Sequence, residues 1–212
     1  MSFGDFKTVP EVAEKFSIKI RTDSFIETLK IEIPQLYFSE LERRLGDEMS
    51  FINEVAICED IIKPILNLIE RKYELLHVWT HVSYNVDKEK GLTGEPDYLI
   101  APRTDYGTMG IPPLCVIEAK QEKFEEGWAQ ALAEMVATSI QGSQTCYAVV
   151  TTGKYWEFGQ LSNALFIKDR TQISATMDLQ RVFDTLNWMF NQVNSLTQKL
   201  LNLETTVSIV NC

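Results

Sequence analysis

The chain has 212 residues, of which 45% are hydrophobic, 24% charged and 10% aromatic, and its 30 Asp and Glu outnumber 20 Lys and Arg for a net charge of −10. This profile belongs to one globular domain with a sizeable core and excludes a disordered or fibrous chain. The acid surplus also excludes a protein that coats nucleic acid by neutralising phosphates, although it leaves room for a local basic cleft.

The four cysteines, Cys58, Cys115, Cys146 and Cys212, stand far apart with no CxxC spacing. They signal neither a zinc knuckle nor a disulfide framework, and a reduced, cytoplasmic setting is expected. The N-terminal residues lack the basic start and apolar run of a secretory signal. The longest uncharged stretch, residues 135–153, is broken by Gln, Ser, Thr and Gly, so no membrane association is expected.

Residues 1–62 hold 13 acids and 7 bases, and therefore −6 of the −10. Residues 1–22 show no clear periodicity. Ser24 to Gly46 read as helical in two pieces broken near Pro34, the second striped by Leu36, Leu41 and Leu45. Residues 1–48 are thus expected to form an N-terminal helical extension, and residues 49–212 the main domain including a C-terminal helix. From Ser50, the apolar spacing of Ile52 to Ile69 predicts one long buried helix, capped by Ser50 and kinked at Pro64.

A strand, LLHVWTHVSYNV, and a loop, DKEKGLTGEP, come next. PDYLIAP is a second strand and PLCVIEAK a third, joined through the Gly- and Pro-rich RTDYGTMGIPP. EKFEEGWAQALAEMVATSIQ has Phe124, Trp128, Leu132, Met135 and Val136 at helical spacing. TCYAVVTTG and KYWEFGQL are strands around a Thr-Gly turn, FIKDRTQIS an edge strand, and LQRVFDTLNWMFNQVNSLTQKLL a terminal helix. Its apolar positions, Leu179, Val182, Phe183, Leu186, Phe190, Val193 and Leu200, suit packing on the sheet or on a second copy. The order of elements predicts an α/β fold with a mixed central β-sheet flanked by helices.

Side chains alternate across a strand, so Ile117 and Ala119 face one way while Glu118 and Lys120 face the other. A carboxylate and an ammonium at the end of an apolar strand are costly to bury uncompensated. Asp97, after Pro96, opens the neighbouring strand and brings a second carboxylate. Two adjacent carboxylates favour a proton or a cation between them. Asp, Glu and a backbone carbonyl form an oxygen-only set that suits Mg²⁺ or Mn²⁺ better than zinc. Lys120 beside such an ion can orient a water and stabilise charge on a phosphate, which is the chemistry of phosphodiester hydrolysis. A further acid from the long helix, Glu54 or Glu59, would complete the set.

Glu54, Pro96-Asp97, Glu118-Ala119-Lys120 and Gln130 resemble the PD-(D/E)xK, or restriction-endonuclease-like, nuclease superfamily. The resemblance covers residues 50–165. NEVAICEDIIKPIL looks like the superfamily's acid-bearing helix, and YAVVTTGKYWEFGQL like the strand pair of nuclease domains associated with type I restriction subunits. It implies a restriction-endonuclease-like core. It also implies Mg²⁺ or Mn²⁺ held by Asp97, Glu118, the Ala119 carbonyl and Glu54, catalysis by these residues with Lys120 and Gln130, and a nucleic-acid substrate, DNA first.

Plainer readings exist for each residue. Glu118 and Lys120 also suit a salt bridge at a solvated sheet end, Asp97 a turn, Glu54 a helix-dipole acid and Gln130 a helix surface. His77 and His81 share a strand face but have no acidic or Cys companion in sequence, and read as core-edge residues. Lys88, Lys90, Arg103, Lys123, Lys154, Lys168 and Arg170 suit either a DNA-facing rim or scattered surface charge. The alternative to a nuclease is a non-catalytic nucleic-acid-binding or protein-interaction module on the same fold, which the net charge favours.

Overall fold

A computed structural model describes residues 1–210, with side chains to residue 201; Cys212 lies outside the described residues. After a 3₁₀ turn at Phe3–Asp5, helix α1 spans Val9–Phe16, strand β1 Lys19–Asp23 and helix α2 Gln35–Leu45. Helix α3 (Glu54–Ile57) runs through a π-helical turn (Cys58–Ile62) into α4 (Lys63–Glu70). Strands β2 (His77–Thr80), β3 (Tyr84–Asp87), β4 (Leu92–Gly94), β5 (Tyr98–Ala101) and β6 (Cys115–Ala119) precede helix α5 (Phe124–Ile140). Strands β7 (Thr145–Thr151), β8 (Tyr155–Ser162) and β9 (Leu165–Ser174) lead to helix α6 (Leu179–Val210).

Seven strands form one mixed sheet in the order β1-β9-β8-β7-β6-β5-β2. β1 and β9 are parallel, as are β6 and β7, and the other neighbours are antiparallel. β6 and β7 at the centre are almost wholly buried apolar residues, the pattern of strands covered on both faces. One face packs Tyr98, Ile117, Val149 and Phe158 against α2, α3, α4 and α6. The other packs Leu99, Val116, Ala148 and Val150 against α1, α5 and the β3-β4 hairpin. The expected α/β architecture, a mixed sheet flanked by helices, is what forms. Trp128 of α5 lies directly over Gly159 of β8, where a Cβ would come within 2.6 Å of the indole.

Four sequence expectations change in detail. The first of the two pieces between Ser24 and Gly46 is not helical: residues 24–34 have no regular secondary structure, and only Gln35–Leu45 coils. Side chains claim its backbone instead, with Phe25 and Ile26 N–H donating to Asp169 Oδ2 at 2.6 and 2.9 Å and Ile31 N–H to Asp184 Oδ1 at 3.0 Å. Residues 1–48 therefore carry helices and a sheet strand, and they place Phe3, Phe6, Val12, Ile31, Leu41 and Leu45 in the two cores.

The expected long helix starts later than Ser50, because Asn53 Oδ1 caps it by accepting from Ala56 N–H at 2.8 Å. Pro64 has no N–H for the Asp60 carbonyl, and the chain answers with the π turn, in which Lys63 N–H reaches back to Cys58 O. Arg44 Nη1 takes the Asp60 carbonyl at 3.5 Å.

The first predicted strand is two. His81 adopts a left-handed φ of 47°, which ends β2, and β3 pairs instead with β4 inside the expected loop. Finally, β9 is not an edge, because β1 lies parallel beside it. No helix among the described residues is long and apolar enough to cross a membrane.

Candidate active site

The site forms where β2, β5 and β6 end together. Antiparallel register sets Tyr98 opposite Ile117 and Thr80 opposite Tyr98. Asp97, one residue before β5, therefore stands beside Glu118 near the end of β6. The alternation inferred for β6 holds: Ile117 and Ala119 enter the α4 and α6 side of the core, while Val116 faces α5 and Glu118 shares its face.

Asp97 Oδ2 accepts from Ala119 N–H at 2.8 Å, and Asp97 N–H donates to Glu118 Oε1 at 3.4 Å. Lys120 Nζ lies 3.4 Å from Glu118 Oε2, and its backbone N–H donates to Thr151 O at 2.8 Å. Glu118 is 0% exposed, whereas Asp97 and Lys120 are partly buried. The bland reading of Glu118 and Lys120 as a solvated surface pair does not fit this burial.

Helix α5 covers the group. Gly127 lets it approach, since a Cβ there would stand 2.9 Å from Lys120 Cγ. Gln130 Nε2 donates to Glu134 Oε1 at 3.2 Å. Opposite, Gln121 Nε2 donates to the carbonyls of Phe51 and Ile52, both at 3.3 Å, and ties the loop after β6 to the segment before α3. That tie brings exposed Glu54, first residue of α3, to a cleft of about 420 Å³ shared with Lys120, Lys123, Glu126 and Gln130. Phe6 and Gly4 form another wall. Glu59, the other helix acid considered, is ion-paired with Lys63 at 3.3 Å and does not line the cleft. Of the bases considered for a rim, Lys123 lines this cleft and Lys154 stacks on Phe51 at 4.2 Å nearby.

The electrostatics are those of a largely buried carboxyl cluster, Asp97, Glu118 and Glu134, beside the Lys120 ammonium. Burial pushes Glu118 well above the ordinary carboxylate range, and the charges of Glu134 and Asp97 add to this while Lys120 opposes it. Burial likewise pushes Glu134 upward. For Lys120, burial disfavours the ammonium, but Glu118, Asp97 and Glu54 outweigh it and raise its pKa. The acids around Lys120 thus favour its ammonium form, which suits orienting a water or holding a phosphate oxygen.

Two residues of this site escaped the sequence reading. Glu134 is 0% exposed on α5 and interacts with Glu118; its signal was its place four residues after Gln130, inside the apolar stripe of the helix. His81 N–H donates to Asp97 O at 3.2 Å and its Nδ1 lies 3.9 Å from Asp97 Oδ1. His77 meets Glu70, whose Oε1 also accepts from Val78 N–H at 3.1 Å. Each histidine thus has the acidic companion that the sequence alone did not offer.

The donor chemistry of Asp97 and Glu118 fits a hard divalent cation: the two acids present only oxygen, beside the Ala119 backbone. Among the described residues, no group of three or more Asp, Glu, His or Cys side chains is arranged so that it could hold a metal ion.

No family model matches the chain. Crinkler effector protein 5 of Phytophthora infestans is 30% identical over 77 residues, which are 36% of this chain and 21% of that protein, so the chain spans about a fifth of the curated relative's length. A cryo-EM structure of a DrdV-DNA complex is similar with a TM-score of 0.41 and 12% identity, covering 71% of this chain and 14% of that one.

Proposed function

We propose that the chain is a divalent-metal-dependent phosphodiesterase acting on nucleic acid, DNA first, through a PD-(D/E)xK site on a restriction-endonuclease-like core. One observation carries the reading: Asp97, Glu118 and Lys120 converge from two adjacent strands, with Glu54 and Gln130 bordering the cleft into which Lys120 opens. Asp97, Glu118 and the Ala119 carbonyl would hold Mg²⁺ or Mn²⁺, with Glu54 supporting the ion or its water from across the cleft. When bound, the ion polarises a phosphate oxygen and eases deprotonation of a water. The Lys120 ammonium orients the attacking water and stabilises charge on the phosphate, and Gln130 orients Lys120 or a phosphate oxygen. Cys58, Cys115 and Cys146 are free and buried, which suits a reduced cytoplasmic setting.

The test is cleavage of single- and double-stranded DNA with Mg²⁺, Mn²⁺ or chelator present. Asp97→Asn and Lys120→Ala are each expected to lower the rate by about 10²–10³-fold, the usual scale for one electrostatic group, with unchanged circular dichroism. Activity surviving both substitutions would overturn the mechanism.

The acidic wall of the cleft, Glu54, Glu122 and Glu126, favours a second reading, a non-catalytic interaction module working with nucleic acid, a second copy or a partner protein. Absence of Mn²⁺ binding by calorimetry selects it.

A further inference from the structure

Glu134 sits one helical turn beyond Gln130 and is 0% exposed among Ala131, Leu132, Met135 and Val136. Packing alone would be served there by another Ala or Leu, because an acid buried in an apolar helix face is costly unless its oxygens are satisfied. Oε1 is satisfied by Gln130 Nε2 at 3.2 Å, and Oε2 has no hydrogen-bond partner. The carboxyl interacts with Glu118, itself 0% exposed and joined on its other side to Asp97 N–H and Lys120 Nζ. The group thus holds three carboxyls, Asp97, Glu118 and Glu134, against one ammonium, and Glu134 lies at its buried end.

We propose that Glu134 is a positioning residue of the cation site: packed against Glu118 in the core, it holds that carboxyl toward Asp97 and so sets how tightly the pair binds a divalent ion. The inference rests on the reading that Asp97 and Glu118 bind the ion. Carboxyls that hold a metal-binding group from behind govern affinity through it, and their loss costs roughly 10–100-fold in metal binding. Gln130, which borders the cleft and bonds Glu134, links this inner carboxyl to the cleft.

Calorimetric titration of Mn²⁺ into the full chain tests this. Glu134→Gln keeps the shape and an oxygen for Gln130, and is expected to melt like the wild type without metal while binding Mn²⁺ about 10–100-fold more weakly. Unchanged Mn²⁺ affinity in Glu134→Gln, with binding intact in the wild type, would reduce Glu134 to packing and overturn the inference alone. No Mn²⁺ binding by the wild type would overturn both this inference and the reading beneath it. Should Glu134→Gln not fold, Glu134→Asp takes its place: it keeps the acid but draws the carboxyl back from Glu118 by one methylene, and is expected to bind Mn²⁺ about tenfold more weakly. Unchanged affinity there would likewise overturn the positioning role.

Discussion

Gly127 decides how closely α5 approaches the site. A Cβ there would lie 2.7 Å from Val150 Cγ1 and 2.9 Å from Lys120 Cγ, distances at which something must move. Val150 is 0% exposed within β7 and cannot yield, so Lys120 or the helix must. Gly127→Ala is expected to cost about 1–3 kcal/mol, the range for overpacking a core, as read by urea unfolding. Its cleavage rate should fall further than that of an equally destabilised variant far from the cleft, because the Lys120 stem is displaced. At this scale the sequence revealed side chains whose meaning lies in a local pattern. Glu118 and Lys120 are two residues apart on one strand, so alternation alone puts them on one face. Glu134 and His81 acquire their roles from partners 16 residues away, Glu118 and Asp97, through helix placement and strand register that no local pattern encodes.

At the scale of elements, the irregular segment 24–34 shows what holds a chain that forms neither helix nor ladder. Asp169 is 3% exposed on β9 and accepts from the N–H groups of Phe25, Ile26 and Thr171. On α6, Gln180 donates to Ile31 O and Asn187 to Leu29 O, at 2.9 and 2.8 Å. Burial pushes the Asp169 carboxyl up, but the three N–H donors more than offset this and hold it below the usual range. A carboxyl depressed in the fold stabilises it above the unfolded pKa, near ~4, and that contribution is lost as pH falls through the folded value. Asp169→Asn is therefore expected to cost about 1.5–3 kcal/mol at pH 7, the scale of hydrogen bonds to a charged group. It should also flatten the acid limb of the stability curve, and hydrogen exchange at Phe25 and Ile26 should accelerate. The same segment was misread as helix because Ile26, Ile31 and Ile33 allow either period, and its backbone partners lie more than 140 residues away. By contrast, α5, β5, β6, β7 and β8 emerge from sequence with nearly their observed bounds, because each carries its own periodicity and turn residues.

At the scale of the molecule, the net charge of −10 is not spread evenly, and the first 62 residues hold −6 of it. Those residues do more than carry acid. Phe3, Phe6 and Val12 are 0–1% exposed against α5 and the β3-β4 hairpin, while β1 pairs along β9 and covers its edge. Fully burying three such side chains contributes on the order of 5–9 kcal/mol, at about 1.5–3 kcal/mol each. That is comparable with the whole stability of a typical domain, about 5–15 kcal/mol. A chain beginning at residue 49 would also bare the β9 edge, a row of unpaired backbone groups open to another strand. It is therefore expected to aggregate or to lack a cooperative thermal transition, whereas the full chain unfolds in one step. A cooperative transition in the shortened chain, within a few degrees of the full one, would instead make residues 1–48 a dispensable extension. The same truncation removes Gly4 and Phe6 from the cleft that holds Lys120 and Gln130, so if the remainder folds, its altered cleavage of DNA isolates what that wall contributes.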